Sequence, residues 1–252
     1  MNALNRLTSL LVVLIIIIGC FSSCDGMGKG KQTDTYVANV RIKFATNDGK
    51  MSAAVDAMNS SSVISVDNDD IQIETTSSMN DISTKETYVY VDNVMYHSTS
   101  VTVGNKSASE YEMASVSQTE VDSLVSKAGV GADIGIGDFL TQEMTGEKGK
   151  YTYTCSDMTD EAKESLCKII GGSFEKIDAT VRIDSADYIL ETDNGRYMSY
   201  ILSCNLLITM NGQTYEVTMR TYCDYDYDVK VGISTPLDIE KYEQVSSEDI
   251  ID

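Results

Sequence analysis

The chain has 252 residues, with 39 acidic side chains against 19 basic ones and a formal charge of -20. A surface this acidic repels phosphate backbones, which argues against nucleic acid as a partner, and net charge of this size limits aggregation in water. Tyr is abundant, Trp absent and Pro single; with so much Thr, Ser, Val and Tyr the chain favours strands.

Arg6 and the free amine precede an apolar run from Leu7, which ends at the small residue Gly19 and at Cys20. A charged start, an apolar core and a small terminal residue form a secretory signal. The run is too short for a membrane span, which needs about 20 apolar residues. Ile17-Ile18-Gly19-Cys20 resembles the bacterial lipobox. That resemblance implies that Cys20 is acylated and becomes the first mature residue, with Cys24, after Phe21-Ser22-Ser23, as a poorer second candidate. The expected organisation is a lipoprotein signal over 1–19, a flexible tether over 20–34 rich in Ser, Gly and Lys, and one folded domain over 35–245. About 230 residues remain past the signal, enough for one sizeable core or two small ones.

Strict alternation begins at Tyr36. Tyr36, Ala38, Val40, Ile42 and Phe44 share one face of a strand, and Asn39, Arg41 and Lys43 share the other. Asn47-Asp48-Gly49 is a turn signal. Met51, Ala53, Val55 and Ala57 alternate again; Met51, Val55 and Met58 also suit a helix, and the turn in front favours a strand. Ile71 and Ile73 follow the polar loop Asp67–Asp70. Tyr88-Val89-Tyr90-Val91, the turn Asp92-Asn93 and Val94-Met95-Tyr96-His97 complete a meander of about five antiparallel strands.

Ser117-Gln118-Thr119-Glu120 is a capping box, and Val121, Leu124 and Val125 continue it at helical spacing until Gly129. After a glycine-rich stretch, Phe139 and Leu140 form a short apolar patch and Tyr151–Cys155 a brief strand. Thr159 caps a second helix, with Asp160 and Glu161 in its first turn. Ala162, Leu166, Ile169 and Ile170 form its stripe, and Gly171-Gly172 ends it.

The last third returns to strands. Met198, Tyr200, Leu202, Cys204, Leu206, Ile208 and Met210 lie on one face, Asn211-Gly212 turns, and Tyr215, Val217, Met219, Thr221 and Cys223 lie on one face of the return strand. The loop parity sets these two apolar faces side by side. Cys204 and Cys223 then share a face, either as a disulfide or as two small buried thiols. The expected fold class is α+β: one large twisted antiparallel sheet with two helices on its concave side.

Tyr88–Tyr96 resembles the strand, tight turn and following Tyr of the bacterial lipoproteins with the LolA/LppX-like half-barrel fold, known in Gram-positive organisms among others. Val231-Gly232-Ile233-Ser234-Thr235-Pro236-Leu237-Asp238, with Tyr242 after it, resembles that family's closing strand, Pro and downstream Tyr. The resemblance implies a half β-barrel holding an acyl chain or other apolar ligand between sheet and helices. The candidate lining is Leu202, Leu206, Ile208, Val217, Met219, Val121, Leu124, Leu166 and Ile170.

No nucleophile elbow, zinc helix, phosphate loop or CxxC pair occurs, so no catalytic residue, metal or cofactor is expected. His97 is the single histidine, placed on a strand. Asp224, Asp226 and Asp228 recur at every second position but lack the Gly and Glu of a calcium loop; a solvated strand end is expected, with Tyr225 and Tyr227 packed inward. The expected function is that of a non-enzymatic lipoprotein on the outer face of the cell membrane, binding lipid or an apolar small molecule. The alternative is a surface module without a cavity that binds protein or glycan. An extracellular hydrolase is the third.

Overall fold

The computed structural model describes residues 35–49, 51–79, 81–117, 121, 134–175 and 179–251. Cys20, the signal, the tether, Leu124 and the glycine-rich stretch up to residue 133 lie outside the described residues. So does the expected first helix, apart from Val121, which is helical.

The alternation from Tyr36 to Phe44 forms β1 (Thr35–Ala45), whose five apolar residues are 0–4% exposed. A meander follows through β2 (Ser60–Asp67), β3 (Asp70–Met79), β4 (Ile82–Val91), β5 (Val94–Val103) and β6 (Lys106–Ser115). Its tight turns use the left-handed backbone that Asn and Asp tolerate: Asp92 and Asn93 have φ of 53° and 64°. The stretch after Met51 is not the expected strand. It is a short helix, α1 (Ser52–Asp56), where the Val55 amide donates to the Met51 carbonyl and Val55 and Met58 are buried. The apolar residues there sit three and four apart, and that spacing prevails over the turn in front.

The second half comprises β7 (Phe139–Glu147), β8 (Lys150–Met158), the helix α2 (Asp160–Glu175), β9 (Ala179–Asp193), β10 (Arg196–Met210) and β11 (Gln213–Asp226). β11 pairs with β1 and joins the two halves. The result is a single sheet of 12 strands in the order β12-β6-β5-β4-β3-β2-β1-β11-β10-β9-β8-β7, with β12 (Glu243–Gln244) parallel to β6. This overturns the α+β expectation with two helices on a concave face. Among the described residues α2 alone exceeds five residues; α1 and α3 (Ser247–Ile251) are single short turns. The missed strands explain the error. β2, β6 and β7 carry Ser, Thr, Glu and Lys where a half-buried strand would show alternating apolar residues.

Thr159 caps α2 by accepting a bond from the Ala162 amide through its hydroxyl (3.3 Å). The helix does not stop at Gly171-Gly172 but continues to Glu175. Two interior glycines cost about 1 kcal/mol each. Burial of Leu166 and Ile170, 1% and 0% exposed, offsets that.

One face of the sheet carries nearly the whole core, a contiguous cluster that takes in residues of β1–β11, α1, α2 and Ile250 of α3. Laid flat, 12 strands would span roughly 50 Å, while a 16-residue helix is about 24 Å long. Burial of this whole face therefore requires the sheet to curl around it. Among the described residues the opposite face holds a small cluster of Val89, Val91 and Tyr96, onto which Ile233 and Tyr242 pack. The C-terminal chain thus crosses the outer face as a strap, pairs at the β6 edge and turns Ile250 into the inner core. The expected closing strand over 231–238 is not formed; that stretch has no strand pairing.

Candidate functional site

Seven of the nine expected lining residues are placed together by the sheet and α2. Leu202, Leu206, Ile208, Val217, Met219, Leu166 and Ile170 are 0–2% exposed in one core cluster, and Val121 joins them at 0%. Side chains with so little accessible surface have no water-sized space beside them, so at these positions the interior is occupied by protein.

Of the two alternatives for Cys204 and Cys223, the structure has the pair of buried thiols, both free. The two-residue turn with left-handed Asn211 and Gly212 pairs Met210 with Gln213. That register puts Cys204 opposite Met219 and Cys223 opposite Tyr200. The sulfurs stand four residues apart along the strand, about 13 Å at the strand rise, beyond disulfide reach. Burial pushes the Cys204 thiol up to about 12.

Polar chemistry gathers where the inner face loses its apolar rows. The cross-strand row Ile64, Ile73, Tyr88, His97, Glu112 runs beside Ser62, Thr75, Glu86, Thr99. The Glu86 side chain is only 4% exposed. Its Oε1 accepts from the Tyr88 hydroxyl (2.9 Å) and lies 2.9 Å from His97 Nε2. Its Oε2 is buried without a hydrogen-bond partner among the described residues. Thr99 Oγ1 is 3.2 Å from the same Nε2, and Glu112 Oε2 is 3.4 Å from Nδ1. The Tyr88 ring stacks on the imidazole at 4.4 Å. Burial first, then the Glu86 charge and the hydrogen bond to it, hold the Tyr88 phenol well above its ordinary value. The sequence shows this cluster only as a carboxylate standing at core-face parity between Thr84 and Tyr88. Chemically it is a lock across β4, β5 and β6. Nε2 lies closer to Glu86 than to the Thr99 hydroxyl, while Nδ1 faces Glu112.

The outer face shows a different surface. An open groove of about 420 Å³ crosses β1–β5, lined among others by Arg41, Lys43, Ser61, Thr76, Lys85 and Ser100. Arg41, Ser61, Thr76, Lys85 and Ser100 form one cross-strand row. Arg41 pairs with Asp224 (3.3 Å) and Lys85 with Glu74 (3.1 Å), all partly open to water. Arg41 also lies 5.8 Å over the Tyr222 ring. Asp224, one of the three alternating aspartates, is thus an ion-pair partner. Tyr225 and Tyr227 pack against Tyr36 at 5.9 Å, as the alternation predicts. Among the described residues no group of His, Cys, Asp and Glu side chains is arranged to hold a metal ion.

The opposite end of the sheet is acidic. Asp67, Asp69 and Asp92 surround Asp70, and burial together with these charges raises its carboxyl. Thr35, where the chain enters the domain, pairs with Asp67 at that end.

No family model matches the chain, and no curated protein does. Solved structures similar to it include a dehydratase domain from the CurK module of curacin polyketide synthase, 10% identical with a TM-score of 0.13 over 75% of this chain and 73% of that one. Another is an N-terminal dehydratase from the difficidin assembly line, 8% identical with a TM-score of 0.12 over 75% of this chain and 77% of that one. Likeness at this level bears on neither fold nor activity.

Proposed function

We propose that this protein is an exported, membrane-tethered, non-enzymatic module that binds its ligand on an exposed sheet face rather than in its interior. The observation that carries this reading is the contrast between the two faces. The expected lipid-lining residues, apart from Leu124, are 0–2% exposed in a packed core, whereas the outer face offers an open groove edged by Arg, Lys, Ser and Thr side chains. A buried apolar ligand would need space beside Leu202, Leu206 and Ile208, and protein atoms take it. The lipobox-like Cys20 supplies the tether. Thr35, where the tether joins the domain, and Lys43 of the groove stand about 27 Å apart along β1.

The test uses the full chain in its own membrane. Replacing Cys20 with Ala is expected to release the protein from the membrane fraction. A Thr76→Cys variant is expected to react with a membrane-impermeant maleimide on intact cells, above the background of the parent chain. Retention of the Cys20→Ala protein, or an unlabelled Thr76→Cys, overturns the reading. So does a stoichiometric amphiphile in solvent extracts beyond the acyl chains on Cys20.

A further inference from the structure

The geometry points to the outer-face groove as a binding site for a saccharide that carries carboxylates. This rests on the surface-binding reading above and names the ligand class. Three observations carry it.

The first is charge placement. Acids outnumber bases 39 to 19 along the chain, yet Arg41, Lys43 and Lys85 line one groove. In a -20 background this groove is a local exception, so an anion is held there at contact range, against the repulsion of the surrounding surface.

The second is a cross-strand pair that stability alone does not favour. Lys43 stands directly opposite Arg220 on the same outward face, both exposed. Like charges directly opposite on a sheet destabilise it. Neither has an ion-pair partner among the described residues, although the chain has acids to spare. An anionic ligand supplies the missing counter-charge.

The third is what lies between the cations. Arg41 and Lys85 are separated by three strand spacings, about 14 Å, and Ser61 and Thr76 stand between them in the row. Their hydroxyls are 2.9 Å apart and outward-facing. Alternating fixed cations and hydroxyls match a polymer whose rings present both carboxylates and hydroxyls. The Arg41 fork suits a planar carboxylate. The existing pairs to Asp224 and Glu74 do not block such a ligand, since exposed ion pairs contribute little and exchange freely.

The experiment measures binding of an oligogalacturonate to the full chain in detergent micelles, with neutral dextran and polyphosphate as comparisons. Saturable oligogalacturonate binding that weakens with salt is expected, with no dextran binding. Polyphosphate of equal charge should bind at least tenfold more weakly. The Arg41→Ala/Lys43→Ala/Lys85→Ala variant should lose at least tenfold in affinity while keeping the parent's denaturation midpoint. Lys150→Ala/Lys241→Ala, which removes cations elsewhere, should bind as the parent does. Unchanged binding by the triple variant, or equal affinity for polyphosphate, overturns the inference. Failure of the surface reading shows separately, in the labelling of Thr76→Cys on intact cells.

Discussion

At the scale of single residues, Glu86 is a buried carboxylate with an incomplete set of partners among the described residues. One oxygen is held by Tyr88 and His97 and the other is buried without a partner among the described residues. Removing His97 leaves that carboxyl with the Tyr88 hydroxyl alone. His97→Ala is therefore expected to destabilise by about 3 kcal/mol, the scale of breaking a buried pair. Glu86→Ala combined with His97→Ala should cost less than the sum of the two single changes, and urea denaturation reads the coupling directly. A second prediction concerns alkali. Burial raises the Cys204 thiol and the Tyr227 phenol, each to about 12, and raises Tyr88 as well. In each the folded value lies above the unfolded one, near 9 for Cys and 10 for Tyr. The protonated form is the one the fold favours. Stability is thus fully present below pH 9 and falls as pH rises toward 12. Denaturation midpoints measured from pH 8 to 12 check this; a midpoint flat or rising over that span would contradict it. Cys204 should also resist alkylation in the folded protein and react once it is denatured.

At the scale of elements, the hairpin of β10 and β11 is the part most legible from residues alone. Its alternation, its Asn-Gly turn and its facing apolar sets all agree, and they appear in the structure as read. Leu202 sits at its centre with 0% exposure, so Leu202→Ala should cost about 2–5 kcal/mol in chemical denaturation. The β7–β8 turn tests backbone demands. Gly149 has a φ of 87°, and a Cβ there would run into the Asn194 side chain. Gly149→Ala is expected to destabilise by at least about 1 kcal/mol, read from the melting temperature. The strap is held by Tyr242, edge-on to Tyr96 at 5.5 Å and Tyr111 at 5.3 Å. Other elements were less legible. β2, β6 and β7 carry too few apolar residues for their period to show, because their outer faces meet water and their inner rows at one end are polar. α1 was misjudged because a five-residue helix offers less than two turns of pattern. α2 overran its glycines because tertiary burial outweighs a local breaker.

At the scale of the whole molecule, the sheet is electrically polarised. The end where Thr35 enters gathers Asp67, Asp69, Asp70 and Asp92, and the basic groove lies well along β1 toward the other end.

Composition and periodicity were sufficient to indicate strand content, the main apolar faces and the packing of Tyr225 and Tyr227. Each of these is a local property, carried by neighbours within a few positions. Three things waited on the tertiary structure: the joining of β1 to β11 into one sheet, the meeting of Glu86 with His97, and the groove assembled from β1 to β5. Arg41 and Lys85 are far apart in sequence and share one row only through a cross-strand register. That register is set by the summed geometry of several turns, which no single stretch of residues encodes.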